Sequence, residues 1–299
     1  MKYIKYLTIC LLMALVASCD KKEVEYPMHP VDTNNDAFLQ IVYTAPLKAQ
    51  ASNYMYYVDI NGVEYGNNGS TFLVTYNFIP SGAVARYYTV KAGDVNLVFK
   101  GSDSSVKYQG KLSGLQAGKK YVAFVYDLTK DPILTDELEI PMFPGTAETA
   151  THCSVKVYNF LYEADGVPST DKLQYALLKT DKDAVAAAKT IQEKYELVGK
   201  PIAFGECTGY FNPKIEKSVF NSSGYQRRDL TLFLVDNNGN LKLDETGNAI
   251  QLKYTNTKGN EVVFTDYWNW YIGRAYFEII RGVRTSTSIT TAITQFTAL

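Results

Sequence analysis

The sequence predicts an all-β protein, with two tandem β-sandwich domains set behind an export signal, a lipid anchor and a flexible tether. Three observations predict it. From residue 37 onward the chain runs in short segments rich in Val, Ile, Tyr, Phe and Thr, punctuated by Gly, Pro, Asn and Asp, the spacing of a sandwich or barrel. Asn61-Gly62 falls between Tyr56–Ile60 and Val63–Tyr65 and suits a type I′ hairpin turn, because both of its central residues need positive φ. A second block after residue 143 repeats the texture of the first, and the chain is long enough for two cored domains.

The N-terminal elements come first. Met1-Lys2-Tyr3-Ile4-Lys5 is a positive n-region, and Leu7 to Val16 an apolar stretch ending in small residues, the architecture of a signal peptide. The stretch is too short to span the bilayer core, which takes about 20 apolar residues. Leu15-Val16-Ala17-Ser18-Cys19 is similar to the lipobox of bacterial lipoproteins. Residues 1–18 are therefore expected to be removed and Cys19 acylated, with multiple chains holding the protein to a membrane. Residues 19–36 carry Pro27, Pro30 and Asp32-Thr33-Asn34-Asn35-Asp36 without hydrophobic period and read as the anchor and tether.

The N-terminal sandwich is placed at 37–142, with strand candidates Phe38–Thr44, Tyr54–Ile60, Phe72–Asn77, Arg86–Val90, Val95–Phe99 and Tyr121–Tyr126. A linker follows at 143–151, and a C-terminal sandwich occupies 152–299. Aligning Tyr43 with Tyr158 gives an offset of 158 − 43 = 115, and aligning Gly118 with Gly273 gives 273 − 118 = 155. The extra 40 residues are assigned to a helix near 181–198 and an enlarged strand-turn-strand region near 230–266. The helix rests on Thr180 as N-cap and on the stripe Ala184, Ala188, Ile191, Tyr195 and Val198.

The order of lipobox, charged residues, Val-Asp-Ile-Asn-Gly-Val at 58–63 and Leu-Gln-Ala-Gly-Lys-Lys-Tyr at 115–121 resembles that of Bacteroidetes cell-envelope lipoproteins built from tandem immunoglobulin-like domains. The resemblance covers roughly residues 37–127. It implies a sandwich fold and an outer-membrane, outward-facing address. It implies no activity.

Charge and composition exclude several classes. Lys plus Arg number 30 against 31 Asp plus Glu, without a basic block, so nucleic-acid binding lacks its electrostatic footprint. The two histidines, His29 and His152, lie in no strand pattern that would orient them for a catalytic triad. No cysteine or histidine pair has the spacing of a zinc knuckle. Gly114–Lys120 has one residue too few between its glycines for a phosphate-binding loop and reads as a turn into a strand. Asp236–Gly247 lacks the glycine and terminal glutamate of a calcium loop and reads as a hairpin. No catalytic residue, cofactor or metal is expected. Cys153 and Cys207 are one possible disulfide pair, or two buried thiols, with Cys153 on the position of Phe38, a core site.

The remaining candidate is aromatic. Both tryptophans of the chain lie in Tyr267-Trp268-Asn269-Trp270-Tyr271. On a strand, Trp268 and Trp270 share one face and Tyr267, Asn269 and Tyr271 the other. An outward pair of indoles, or an outward Tyr-Asn-Tyr row, would suit stacking on sugar rings or docking a partner; the alternative is that the indoles fill the second core. The expected function is a non-catalytic binding module, with glycan as the candidate ligand. The competing expectation is a structural, adhesin or surface-complex subunit that meets an envelope protein through exposed sheet edges.

Overall fold

The computed structural model describes residues 31–48, 53–66, 87–136, 151–216 and 223–297, and Thr33–Leu299 forms one compact unit. The expected signal peptide, Cys19, most of the expected tether, the strand candidate at 72–77 and the expected linker up to residue 150 lie outside the described residues. No helix among the described residues is long and apolar enough to cross a membrane.

The unit is all-β. Its first half contributes β1 (Asp36–Tyr43), β2 (Tyr57–Ile60), β3 (Val63–Gly66), β4 (Tyr88–Lys91), β5 (Gly93–Lys100), β6 (Val106–Leu115), β7 (Lys120–Val125) and β8 (Ile133–Asp136). These form two sheets, ordered β4-β1-β7-β8 and β3-β2-β5-β6. Leu39, Ile41 and Tyr43 from the first sheet meet Val58, Leu97 and Phe99 from the second in a common core. The Asn61-Gly62 turn joins β2 to β3, with φ of 52° and 82° and the Asp59 carboxylate accepting from the Gly62 N–H at 2.7 Å.

The second half contributes β9 (Ser154–Ala164), β10 (Val167–Pro168), β11 (Lys172–Leu178), α1 (Lys182–Ala187), β12 (Tyr195–Leu197), β13 (Cys207–Phe211), β14 (Gln226–Val235), β15 (Lys253–Thr255), β16 (Glu261–Val263), β17 (Thr265–Trp270), β18 (Ala275–Val283) and β19 (Ala292–Thr297). One sheet runs β10-β9-β18-β19 with β13 added on β9; the other runs β12-β11-β14-β17. Val155, Val157 and Ile280 face Tyr175, Leu230 and Trp270 in a second core.

A third apolar layer joins the two sheet pairs. Val42, Val122 and Phe124, on the outer face of the first β1 sheet, pack on Tyr158, Phe160 and Phe277 of the β9 sheet. The Phe124 ring lies 4.5 Å from Tyr158 and 4.9 Å from Phe160. This explains a feature of the sequence: β1, β7, β9 and β18 are buried on both faces and read as nearly continuous apolar runs, whereas β5 and β6 have a solvated face and alternate. Lys156 is enclosed in the same layer, its ammonium 5.0 Å from the Tyr158 ring and 5.5 Å from Tyr210, a cation–π setting that compensates part of its burial.

The internal repeat is written in the backbone. β1 runs parallel to β7, and β9 parallel to β18. Gly118 N–H donates to Asp36 O at 2.8 Å, and Gly273 N–H to His152 O at 2.9 Å; Phe38 N–H donates to Lys119 O, and Ser154 N–H to Arg274 O. The Tyr121 hydroxyl accepts from Gln116 N–H, and the Tyr276 hydroxyl from Tyr271 N–H, both at 3.0 Å. These pairs keep the expected offset of 155 in the later strands but require 154 − 38 = 116 in the first strands. The expected offset of 115 is thus one residue short. A slip of one exchanges the two faces of a strand, so Tyr43 lies in the first core while Tyr158 lies between the sheet pairs, and Cys153 corresponds to Ala37 and not to the half-buried Phe38.

The expected helix needs correction as well. The helix spans Lys182–Ala187 and does not continue to 198; its N-cap is Asp181, whose carboxylate accepts from Asp183 and Ala184 N–H, in place of Thr180. None of its residues is buried. Beyond it, Ile191 and Tyr195 pack on Ala176, Phe233 and Ala249, and Tyr195 pairs with Leu178 as β12. Tertiary packing overrides helical propensity there. The cysteines are free thiols. Cys153 belongs to the second core and Cys207 to the layer between sheet pairs, and Cys207 is opposite Tyr158, five residues along the chain from Cys153. At about 3.3 Å per residue that offset far exceeds the 4.4–6.8 Å Cα separation a disulfide allows. Finally, the region after β14 holds three turns of one design, at 236–240, 244–248 and 256–260. In each, the first side chain accepts from the backbone N–H groups two and four residues on, and a positive-φ glycine occupies the fourth place. The Asp236 carboxylate is held below the usual range chiefly by the Asn240 N–H, and that of Asp244 by the Thr246 hydroxyl and then the Asn248 N–H, which is turn chemistry.

Candidate functional site

β17 is the edge strand of its sheet, paired along one side with β14. Its alternation places the aromatic segment as two different surfaces. Trp270 is fully buried in the second core, and Trp268 is half-buried against it. Of the two readings of the segment, the structure takes the one in which the indoles fill the second core, so Trp268 and Trp270 leave the candidate ligand-binding set and Tyr267, Asn269 and Tyr271 stay in it. Trp270 Nε1 donates to Glu278 at 3.1 Å, and the Tyr175 hydroxyl donates to the same carboxyl at 2.5 Å. Both donors favour the charged form, but complete burial outweighs them and pushes the Glu278 carboxyl up to about 7. This carboxyl has no route to a substrate and belongs to the core.

The outer face carries Tyr267, Asn269 and Tyr271. Register places Arg227 opposite Asn269 and Asp229 opposite Tyr267. Tyr267 is 46% exposed, with the Arg227 guanidinium stacked 3.7 Å from its ring centre. Arg227 also donates from Nε and Nη2 to one Asp229 oxygen at 2.9 and 2.7 Å. At the other end of the row the Arg274 guanidinium lies 4.2 Å from the Tyr271 ring, which meets Tyr225 edge-on at 5.5 Å. The result is a strip of aromatic rings alternating with guanidinium groups, held in place by cross-strand pairing.

A groove of about 430 Å³ adjoins the strip. Its origin is a length mismatch: the last β11–β14 pair is Leu177 with Leu230, so Gln226–Asp229 overhang the end of β11. Chain leaving β11 forms the opposite wall through Lys179, Thr180 and α1. Arg227 and Arg228 belong to both β14 and the groove. Arg228 is 5% exposed. Its guanidinium reaches Lys214 O at 3.4 Å and Glu196 at 3.8 Å, and burial lowers its proton affinity against the pull of Glu196. None of the groove residues stood out in the sequence. The only available signal was Gln-Arg-Arg-Asp at 226–229, a polar start to an otherwise apolar strand.

A second depression of about 630 Å³ lies between residues 188–194 and the turns after β14, with Lys189, Lys194, Asp244 and Lys253 in its lining. Of the two histidines only His152 is described; its Nδ1 is 3.0 Å from the Thr151 hydroxyl. Among the described residues, no group of three or more His, Cys, Asp or Glu side chains is placed to hold a metal ion. Comparison with known proteins finds no matching family and no matching curated sequence, so the reading of this surface rests on its chemistry.

Proposed function

We propose that this chain is a lipid-anchored cell-envelope protein whose folded body recognises glycans without catalysis, using the Tyr267–Tyr271 strip and the adjoining groove. The observation that carries the reading is the outward row of Tyr267, Asn269 and Tyr271 interleaved with Arg227 and Arg274. Flat rings offer stacking area to sugar C–H faces, and fixed guanidinium, amide and carboxylate groups offer directional hydrogen bonds to hydroxyls. Membrane attachment rests on the lipobox at 15–19, and a Bacteroidetes outer-membrane, outward-facing address on the family resemblance. The test is affinity electrophoresis of the protein through gels holding a panel of plant and animal polysaccharides. Retardation by one glycan that is lost in Tyr267→Ala, with unchanged circular dichroism, supports the reading. Retardation by none, or retention unaffected by Tyr267→Ala, removes it.

A second reading is an envelope-assembly subunit that accepts a partner strand. It is favoured by β6, ten residues long and paired among the described residues with β5 alone, with the Asp131 carboxylate taking its Lys111 N–H at 2.8 Å, since a sheet edge is a template for strand addition. Co-purification of an envelope protein that is lost when Ser113 is replaced by proline would support it.

A further inference from the structure

We infer that the groove beneath α1 binds an anionic group carried by a glycan, a carboxylate or a sulfate, with Arg228 as its buried anchor; this deepens the glycan reading above and rests on it. Four cationic residues line the groove, Lys179, Lys182, Arg227 and Arg228, with one acidic residue, Asp229. Asp229 already receives both bonds from Arg227. Arg228 is the unusual member. Its side chain is 5% exposed, yet its partners are a carbonyl at 3.4 Å and a carboxylate at 3.8 Å, and its Nε has no partner among the described residues. A guanidinium offers five N–H donors, and charge-assisted bonds run at about 2.7–2.9 Å, so this buried charge is under-satisfied. Glu196, its nearest counter-ion, is 60% exposed, where water weakens its pull. Glu216 pulls on Arg228 from beyond ion-pair distance and also accepts from the Thr180 hydroxyl at 3.4 Å.

A carboxylate or sulfate entering over the β14 overhang would supply the missing acceptors to Arg228. The exposed ammonium groups of Lys179 and Lys182 close on it from the opposite wall. Arg228 leaves the inward face of β14, opposite Trp268, and Arg227 the outward one, so the sugar ring bearing the anion would cross the free edge of the β14 overhang to reach Arg227 and Tyr267, which are already in contact. Recognition of this kind discriminates strongly against a capped acid, because the capped form leaves the buried charge without its partner.

The experiment is isothermal titration of the full chain in detergent with two matched pairs of polymers: polygalacturonate and its fully methyl-esterified form, and dextran sulfate and dextran. The inference predicts binding of at least one charged polymer, roughly tenfold or more weakening for its uncharged counterpart, and loss of affinity as salt is raised. Which pair responds identifies the carboxylate or the sulfate as the ligand group. Arg228→Gln should abolish the preference for charge, and the exposed Lys182→Gln should weaken charged-polymer binding roughly threefold to tenfold; Lys182→Gln together with Lys179→Gln decides the matter if Arg228→Gln does not fold. Equal binding of charged and uncharged polymers, abolished by Tyr267→Ala, overturns the anion inference and leaves the glycan reading standing. Charged-polymer binding that survives all three cation substitutions also overturns it, and silence toward every polymer overturns both.

Discussion

Replacing Glu278 by glutamine should flatten the dependence of stability on pH between about 5 and 7. Glu278 sits fully buried between the two sheets of the second pair, bonded by Tyr175 and Trp270. Its carboxyl titrates at about 7 in the folded protein against 4.5 for the ordinary group. The folded state therefore holds a proton that the unfolded state has released. Its contribution is fully present below about 4.5 and is lost as pH rises through 7. A difference of about 2.5 in pKa, at 1.36 kcal/mol each, amounts to about 3 kcal/mol. Glutamine keeps an acceptor for one donor, and its amide can donate to the Tyr175 hydroxyl, so the pocket stays satisfied without a charge. Asp266, raised by burial, acts in the same direction and remains in both proteins. Urea unfolding at pH 5, 6, 7 and 8 should show the wild type losing about 2–3 kcal/mol more than Glu278→Gln across the series. Parallel profiles would refute the assignment of a buried proton to this site, as would a steeper decline in the variant.

Other expectations follow from the repeat and the core. Tyr121→Phe and Tyr276→Phe each remove a hydroxyl that accepts one backbone N–H; each should cost about 1 kcal/mol, and the double variant should cost the sum by chemical denaturation, since the two sites share no partner. Gly282→Ala should prevent folding or lower the melting temperature sharply, because φ is +100° and a Cβ would fall 2.3 Å from Thr290 O; Gly273→Ala, at φ +74° with open space, should cost only about 1–2 kcal/mol. Native-state thiol labelling followed by mass mapping should leave Cys153 unmodified, since it is buried and its thiol is pushed up by desolvation, and should find no Cys153–Cys207 bridge.

The all-β class was legible because strands leave a local signature, and the Asn61-Gly62 hairpin because its turn has a stereochemical requirement that few dipeptides meet. The repeat was legible in outline. Its register in β1 and β9 was not, because strands buried on both faces lose the alternation that fixes which residue points where. The helix was overextended for a different reason: the stripe through Ile191 and Tyr195 is apolar because those side chains fill the pocket around Phe233, and not because they share a helical face. The candidate site was legible on β17, where alternation correctly separates Trp268 and Trp270 from Tyr267, Asn269 and Tyr271. Which set faces water depends on which side the second sheet packs, and that is a tertiary fact. Arg227, Arg228 and the lysines beyond β11 come together only through the length mismatch between β11 and β14, which no local pattern encodes.

The most direct test of the central claim, recognition at the outer face of β14 and β17, is hydrogen–deuterium exchange of the intact protein with and without a bound polysaccharide. The account predicts protection on binding confined to residues 178–186, 225–229 and 265–274. Protection centred on 188–194 and 244–251, or on β6, with the β14–β17 face unchanged, would contradict it.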